Sequence, residues 1–358
     1  MQLDEPSSIS QNVKTETVEK CLKCDFSLIS FEHMVQDDKR LKNFLISHDI
    51  IANTITCPKC SVPLTLNWAK RVFRCQRNHS EDERGNNIDR NNGSNENCTK
   101  KPKQKRLLKK NQFKQSCFAG TFLSQMKIPI PKELVMTVIW LALRPPIHSL
   151  LMRELELSER TIVKWLSFNR LVAMHWRDNC TNKIGGPGKI VEIDEAKIGK
   201  RKYNVGRVIE GQWVFGGVER SNDKTTGTVS RFFVDAIPKR TVTELLKIIE
   251  RRIVPGTTIV TDMWRSYKCL KKRGFNHLSV NHSQNFVNPE NPTAHTQTVE
   301  RMWRDLRSSI PRYGRKKDNI SSYLAEFTFK RMHPNLNDRI HTFFKYAATL
   351  YPPVNCLS

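Results

Sequence analysis

Three acidic residues that lie far apart in the chain could supply carboxylate ligands to a single site. Asp194 follows the apolar alternation of Val191 and Ile193, Asp262 ends the run TTIVTD, and Glu300 lies in the helical pattern VERMWRDLR. Three such oxygen ligands suit Mg²⁺ or Mn²⁺ rather than zinc. Because neighbouring carboxylates repel one another, their convergence would imply bound cations.

A pair of divalent ions at such a site has a well-defined chemistry. Two ions about 4 Å apart can activate an attacking hydroxyl and stabilise the leaving oxygen of an in-line phosphoryl displacement. Each acid also has a simpler interpretation. Asp194 or Asp262 could cap the element that follows it, and Glu300 could merely pair with Arg304, an exposed contact worth about 0.3–0.5 kcal/mol. The single residues leave both interpretations open.

The helix predicted around Glu300 has an unusual face. Glu300, Trp303, Arg304 and Arg307 recur at i, i+3, i+4 and i+7, which aligns them along one side. We expect Trp303 to pack the helix on a sheet, with base stacking as the alternative. The two arginines are candidate contacts for DNA phosphates.

The elements that would carry these acids follow the boundary GGPGK at residues 185–189. A strand, two hairpin strands, a helix, a strand and a further helix predict a mixed α/β sheet with acids at strand ends, where open-sheet sites usually lie. Since successive strand residues point to opposite faces, we expect Glu195 to point away from Asp194 and to be secondary.

The cysteines indicate metal binding. Ten cysteines in 358 residues are too few for a disulfide scaffold, and two CxxC pairs occur, at residues 21–24 and 57–60. Reduced thiols that bind metal are therefore expected. The pair at residues 21–24 has no second pair assigned to it.

The pair Cys57 and Cys60, followed by Cys75 after the strand-like VFR, is built like a zinc ribbon. We expect His79 to be the fourth ligand in preference to Cys98, which would have to loop across a long polar insert. Buried cysteines without a metal are the alternative interpretation.

Two further segments are candidates for DNA contact. Residues 81–110 have almost no apolar content before Leu107 and predict a disordered insertion, ending in a basic run that fits nuclear localisation, phosphate contact or a plain tether. Residues 127–178 predict closely spaced helices with a break at Leu157–Ser158, as in a helix-turn-helix. There Arg160, Thr161 and Lys164 would face outward. The apolar residues between them would pack inward or against the neighbouring helix: Ile162, Val163, Trp165 and Leu166. Any small helical bundle shows the same periodicity.

Sixty Lys+Arg against thirty-five Asp+Glu give a net charge of +25, which makes nucleic acid the leading class of partner. The start of the chain has no signal-peptide pattern, and the longest apolar runs are too short to span a bilayer. We therefore expect a soluble intracellular protein that does not bind membranes.

Five motifs together resemble the catalytic domain of Merlin-type transposases, the eukaryotic relatives of ISXO-like bacterial insertion-sequence transposases. They are VEIDEAKIGKRKYNVGR, QWVFGGVER, VPGTTIVTDMWRSY, HLSVNHSQNFV and AHTQTVERMWRDLR. The resemblance covers residues 190–333 and extends to a zinc-ribbon-like segment and a helical DNA-binding region before them.

The resemblance implies an RNase H-like core with Asp194, Asp262 and Glu300 as the catalytic triad that binds two Mg²⁺ or Mn²⁺ ions. It also implies that Arg307 lies near the substrate phosphates and that His282 and His295 orient the active site or the terminal DNA. The basic residues of the first motif are expected to contact phosphates, although a solvated hairpin would also be basic: Lys200, Arg201 and Lys202.

The predicted organisation has five parts. They are a zinc-ribbon-like segment at 1–80, the polar insertion at 81–110, a helix-turn-helix region at 111–184, an RNase H-like catalytic domain at 185–345 and a tail at 346–358. The resemblance implies a nuclear cut-and-paste transposase that acts as a homo-oligomer on double-stranded DNA. A domesticated DNA-binding or chromatin protein without transposition activity is the alternative, and a nuclease acting on RNA is a weaker one.

Overall fold

The computed structural model of the protein describes residues 18–77, 79, 112–125, 127–145, 147–180, 182–199, 211–220, 230–262, 267, 269–280, 295–311 and 319–353. Four parts of the sequence predictions lie outside these ranges. They are the 81–110 insertion, Cys98, the basic residues 200–202 and His282.

The N-terminal part begins with two helices and continues with two small strand pairs. Ser27 caps the first helix through the backbone N–H of Ser30, and Asp37 caps the second through that of Arg40. Such caps satisfy backbone donors that a helix start leaves unpaired. The elements are α1 (Leu28–Gln36), α2 (Asp38–Ser47), and the antiparallel pairs β1 (Thr54–Thr56) with β2 (Pro63–Thr65) and β3 (Val72–Arg74) with β4 (Lys114–Ser116).

Three helices follow a 3₁₀ turn at Phe122–Gln125, and they are α3 (Ile130–Ala142), α4 (His148–Leu155) and α5 (Glu159–Asn179). A three-residue turn separates α4 from α5. In it Glu156 adopts a left-handed conformation with φ 53°, and Ser158 caps α5 by accepting the N–H of Thr161. The predicted break between two closely spaced helices is confirmed, while a role of this pair in DNA reading stays a prediction.

The predicted inner face of α5 is correct except at one position. Ile162, Trp165 and Leu166 are buried, whereas Val163 is 45% exposed. A helix turns about 100° per residue, so Val163 lies off the stripe that its three neighbours form. Along the described ranges, no helix is both long and apolar enough to cross a lipid bilayer.

The mixed α/β sheet predicted for the C-terminal part is confirmed. Its five strands lie in the order β11-β10-β6-β7-β8, and β7 alone among them runs antiparallel to its neighbours. The strands are β6 (Ile190–Ile198), β7 (Gln212–Glu219), β8 (Phe232–Ile237), β10 (Thr258–Asp262) and β11 (Asn276–Val280), and a short parallel pair, β5 (Ile184–Gly185) with β9 (Ile253–Val254), lies outside this sheet.

Helices cover both faces of the sheet, with a 3₁₀ turn at Leu270–Arg273 before β11. On one face α6 (Val242–Arg252) buries Leu245 and Ile249 with Val191 and Ile193 of β6. On the other face, α7 (Gln297–Ser309) and α8 (Ile320–Met332) pack on the remaining side chains of β6, β7 and β8. The alternation of apolar residues in β6 therefore serves two separate cores.

The last helix, α9 (Leu336–Leu350), packs with the N-terminal helices. Its residues Ile340, Phe343 and Phe344 lie in the same core as α1, α3 and α5. The predicted catalytic domain ran to residue 345. The packing of α9 joins the end of the described chain to the helical region instead of to the sheet.

One acid lies deep in the helical core. The Glu133 side chain in α3 is 0% exposed, and among the described residues neither of its carboxyl oxygens has a hydrogen-bond partner. Burial raises the pKa of Glu133 to about 8, because a carboxylate loses its hydration in the core. The folded protein therefore holds this group as a neutral acid at pH values where the unfolded chain ionises it.

We predict that this acid lowers the free energy of unfolding as pH rises from about 4.5 to about 8. Between those values the folded state binds more protons than the unfolded state, so stability falls by up to about 1.4 kcal/mol per pH unit. Glu133→Gln should remove this slope in urea unfolding measured across the range. Glu154→Gln, at an exposed acid of α4, should keep it, and equal slopes in wild type and Glu133→Gln would contradict the prediction.

Candidate functional site

Two of the three predicted acids meet at the end of two adjacent parallel strands. Carboxylate oxygens of Asp194, Glu195 and Asp262 lie within 4.8 Å of one another. β10 pairs with β6 only as far as Val260 opposite Glu192. Both strands thus extend beyond their paired part on the same edge of the sheet, which brings Asp194 close to Asp262.

The prediction that Glu195 points away from this site is wrong. Strand alternation fixes the direction in which a side chain leaves the backbone, but the longer glutamate side chain still brings its carboxylate within 4.8 Å of those of Asp194 and Asp262. Its carboxylate is 0% exposed and accepts a hydrogen bond from the Tyr267 hydroxyl at 2.5 Å and from Arg240 at 3.1 Å. Glu195 therefore belongs to the acidic cluster.

The electrostatics of the cluster favour a bound cation. Burial, and then the neighbouring charge of Glu195, raise the pKa of Asp194 to about 7. Burial also raises the pKa of Glu195, against the opposing hydrogen bond of Tyr267 and charge of Arg240. Arg240 also lies 3.8 Å from Asp262. Arg240 thus contacts two of the three acids. Hard carboxylate oxygens are the ligands that Mg²⁺ and Mn²⁺ prefer, so these residues fit such ions.

Glu300 lies outside the group of acids that the described residues bring within 4.8 Å of one another. It is exposed on the first turn of α7, with Thr296 Oγ1 3.5 Å from its carboxylate. Three residues later, the Trp303 indole N–H donates to Asp194 at 3.0 Å. Residues three apart on a helix are neighbours, so Glu300 lies one turn from a direct contact with the cluster.

The residues predicted to share one face of α7 differ in burial in the structure. Trp303 is 3% exposed and packs the helix on the sheet, as predicted. Arg304 and Arg307 are exposed, so both remain available for a phosphate. The split arises because the apolar side of α7 includes Trp303 and leaves the polar residues beside it in solvent.

A residue that sequence reasoning missed holds α7 in place. Glu192 of β6 is fully buried, and its carboxylate accepts the backbone N–H groups of Thr298 at 2.8 Å and Val299 at 3.0 Å. It also receives Arg220 at 2.7 Å. The N-cap residue, Thr296, makes no side-chain cap, so an acid from the sheet satisfies the donors at the helix start. The available signal was an acid among apolar strand residues, on the same side as Asp194.

The glycine pair of QWVFGGVER has a packing role beside the site. Gly216 lies opposite Asp194 in the β6–β7 ladder, and a Cβ atom on it would lie 2.7 Å from Cη2 of Trp303. The absence of a side chain lets the indole approach the strand closely enough to contact Asp194. Gly216 therefore supports the position of α7.

The predicted zinc-ribbon ligands also converge. Ligand atoms of Cys57, Cys60, Cys75 and His79 lie within 4.8 Å of one another. The Cys57 sulfur is 3.7 Å from His79 Nε2, and the Cys60 and Cys75 sulfurs are 3.7 Å apart. Three thiols and one imidazole match a structural zinc site. His79 completes the group within the part of the chain that the structure describes, and zinc at this position stays a prediction.

The predicted DNA-contact residues of α5 lie at its first turns. Arg160 and Lys164 are exposed and Thr161 is half-buried. Thr161 also contributes its backbone N–H to the Ser158 cap. The two cations therefore lie on the outer side of the helix pair.

We predict that Glu192→Ala lowers the free energy of unfolding by about 3–5 kcal/mol, the usual result of removing one partner of a buried ion pair. The change also leaves two helix-start N–H groups without their acceptor. Glu192→Gln should cost less because the amide oxygen can still accept. Glu250→Ala, which breaks an exposed pair with Arg273, should change stability by about 0–1 kcal/mol. A Glu192→Ala loss no larger than that of Glu250→Ala in urea unfolding would rule out the proposed support.

Comparisons with known proteins show what the chain is similar to. Residues 185–331 match the model of the ISXO2-like transposase domain. The Male abnormal protein mab-31 of Caenorhabditis elegans is 25% identical over 271 residues, which are 71% of this chain and 55% of that protein. The chain thus spans about half the length of this relative. An uncharacterized transposase-like protein of Haemophilus influenzae is 23% identical over 111 residues, 31% of this chain and 88% of its own. The match over residues 185–331 confirms the resemblance to insertion-sequence transposases found in the sequence.

Proposed function

We propose that the protein is a DNA transposase that cuts DNA at terminal inverted repeats and joins the freed ends to target DNA. The observation that carries this proposal is the convergence of Asp194 and Asp262 at the ends of adjacent parallel strands. Both acids lie inside the segment that matches the transposase domain. The sheet order β11-β10-β6-β7-β8, with only β7 antiparallel, supports the RNase H-like assignment.

Asp194, Asp262 and Glu300 would hold two Mg²⁺ or Mn²⁺ ions. When bound at such a site, the ions supply Lewis-acid stabilisation of the charge on phosphoryl oxygens and lower the pKa of coordinated water. The protein's own groups position the ligands. The Trp303 indole orients Asp194, while Tyr267 and Arg240 hold Glu195 beside it.

The proposed reaction has two phosphoryl transfers at one centre. In the first, water attacks a phosphodiester at the element's end, and the released strand keeps a 3′-hydroxyl. In the second, this hydroxyl attacks a phosphodiester of target DNA. A new bond forms between the 3′-oxygen and the phosphorus, and the 3′-oxygen of the target strand leaves. The exposed Arg304 and Arg307 on α7 would bind phosphates next to the reacting group. Both steps need the attacking oxygen, the phosphorus and the leaving oxygen to lie in line. Arginines that bind the neighbouring phosphates would favour this alignment.

Glu300 would join the cluster by a change of side-chain conformation. It is exposed, so its rotamers are not fixed by packing, and it lies one turn from Trp303, which contacts Asp194. Glu192 fixes the start of α7 just before Glu300. The backbone is therefore held while the carboxylate remains able to move.

The N-terminal region would recognise the ends of the element. The exposed Arg160 and Lys164 of α5, with Thr161 beside them, would contact DNA, and the Cys57–His79 cluster would bind Zn²⁺ and stabilise the small strand pairs. The net charge of +25 favours association with DNA. We further propose a Merlin-type element, a nuclear location and a homo-oligomer that holds two DNA ends. The basic residues 200–202 remain proposed phosphate contacts.

The alternative is a transposase-derived DNA-binding protein that no longer moves DNA. Two observations favour it: Glu300 lies outside the acidic cluster, and the C. elegans relative is named for male abnormality rather than for transposition. The two proposals differ in whether the acids are needed for more than DNA binding.

We predict that the purified protein with Mn²⁺ or Mg²⁺ nicks DNA that carries the flanks of its own gene. Asp262→Asn should reduce nicking by at least about 100-fold, because metal-assisted charge stabilisation contributes several kcal/mol. Glu300→Gln should have a similar effect if its carboxylate joins the site. DNA binding, measured by fluorescence anisotropy, should change little in both variants.

Asp178→Asn is the matched control, since Asp178 is an exposed acid at the end of α5. It should retain nicking. Full activity in Asp262→Asn would exclude the proposed mechanism. DNA binding without any nicking by the wild type would favour the alternative, and full activity in Glu300→Gln would remove Glu300 from the site.

A further inference from the structure

A second group of cysteine and histidine ligands lies between the start and the end of the described chain. Ligand atoms of Cys21, Cys24, His48 and His341 lie within 4.8 Å of one another. The first two form the CxxC pair to which the sequence assigned no partners. The two histidines come from the C-terminal end of α2 and from α9.

The spacing of these atoms is that of ligands around one tetrahedral ion. The two sulfurs are 3.9 Å apart, and two thiolates on one zinc ion with bonds of about 2.3 Å lie about 3.8 Å apart. The Cys24 sulfur is 3.2 Å from His48 Nε2 and 4.0 Å from His341 Nδ1. A sulfur and a nitrogen on one zinc lie about 3.5 Å apart, which falls between these two distances.

The orientation of His48 supports metal binding by a further contact. Its Nδ1 lies 2.9 Å from the carbonyl oxygen of Phe44, and a carbonyl can only accept, so Nδ1 carries the proton. This leaves the lone pair of Nε2 directed at Cys24. Histidines that bind metals commonly donate their other ring N–H to a carbonyl or carboxylate, which fixes the tautomer.

The surroundings are those of a closed structural site. Cys24 is 1% exposed and His48 is 5% exposed, whereas Cys21 and His341 are half-buried. The backbone N–H of Cys21 donates to the Ser47 carbonyl at 3.0 Å. The CxxC segment is therefore held against the end of α2, next to His48.

The CxxC segment and α2 are each joined to α9 by a contact outside the four ligands. The backbone N–H of Phe26 donates to the Asn337 side chain at 2.7 Å, and the rings of Phe44 and Phe344 pack edge to face at 5.1 Å. His341 thus comes from a helix that is already fixed next to the CxxC pair. Such a preformed arrangement lowers the entropy cost of bringing distant ligands together.

We propose that Cys21, Cys24, His48 and His341 bind a structural Zn²⁺ ion that fastens the N-terminal CxxC segment to the C-terminal helix. The site is separate from the cluster that contains Cys57 and does not depend on the proposed transposase activity. Its ligands Cys24 and His341 are 317 positions apart. The ion would thus join two parts of the helical region, one that precedes the sheet in the chain and one that follows it.

Zinc content measured on the purified full chain tests this site. The wild type should hold two zinc ions per chain, and Cys24→Ser should hold one fewer than wild type. Cys57→Ser should also lose one, and the double variant should hold none. Cys180→Ser, at a cysteine outside both groups, is the matched control and should retain the wild-type content.

Unchanged zinc content in a Cys24→Ser protein that keeps its wild-type circular dichroism would overturn the proposal. His341→Ala is a second variant at a half-buried position that avoids the core, and it should weaken zinc retention against a chelator by at least about 10-fold. Equal retention in His341→Ala and wild type would also count against the site.

X-ray absorption at the zinc edge gives a test that needs no variant. With both sites filled, five sulfur and three nitrogen ligands are shared between two ions. Filling of the new site alone would give two sulfurs and two nitrogens. Three sulfurs and one nitrogen per ion would mean that only the Cys57 cluster binds zinc, and would overturn the proposal.

Discussion

Three buried or half-buried carboxylates meet at one edge of the C-terminal sheet and repel one another. The fold must offset this repulsion, and that requirement is the main constraint on the site. Carboxylate oxygens of Asp194, Glu195 and Asp262 lie within 4.8 Å of one another, and among the described residues Arg240 contacts two of these acids. A fold that needed only stability would not place three acids there, since each loses hydration and faces like charges. The arrangement fits the divalent ions that we propose for this group of oxygens.

The structure supports this group through residues whose side chains lie in fixed positions. Glu192, two residues before Asp194 on the same side of β6, holds the start of α7 through two backbone N–H groups. Trp303 then reaches back from α7 to Asp194, and the missing side chain of Gly216 leaves room for its ring. One strand thus supplies both an acid of the site and the anchor of the helix that carries Glu300. Functional groups are held most accurately when such supporting contacts fix them.

The sequence predicted the sheet, its helices and the meeting of Asp194 with Asp262, because strand ends and hydrophobic alternation follow local rules. It also predicted a cluster of Cys57, Cys60, Cys75 and His79 from their spacing. Other features depend on distances that local rules do not contain. Glu195 was misplaced because alternation ignores the length of its side chain, and Val163 because it lies off the buried stripe of α5. The partners of the pair at residues 21–24 come from α2 and from α9, so no local spacing could reveal them.

Because α9 packs with the N-terminal helices, the domain organisation differs from the order of the elements in the sequence. In the chain, the segment that forms the sheet lies between parts of one helical core, to which both the start and the end of the described chain contribute. The acids at the sheet edge and the cysteine-histidine groups in the N-terminal region are chemically distinct, with hard oxygen ligands in one and soft sulfur in the others. The zinc ions and the divalent cations that we propose for the acids can therefore be told apart by measurement.

The most direct test of the carboxylate site is a calorimetric titration of zinc-loaded protein with Mn²⁺. The account predicts that the wild type binds Mn²⁺ and that Asp194→Asn combined with Asp262→Asn abolishes this binding while the protein stays folded. Equal Mn²⁺ binding by the wild type and the double variant would contradict it.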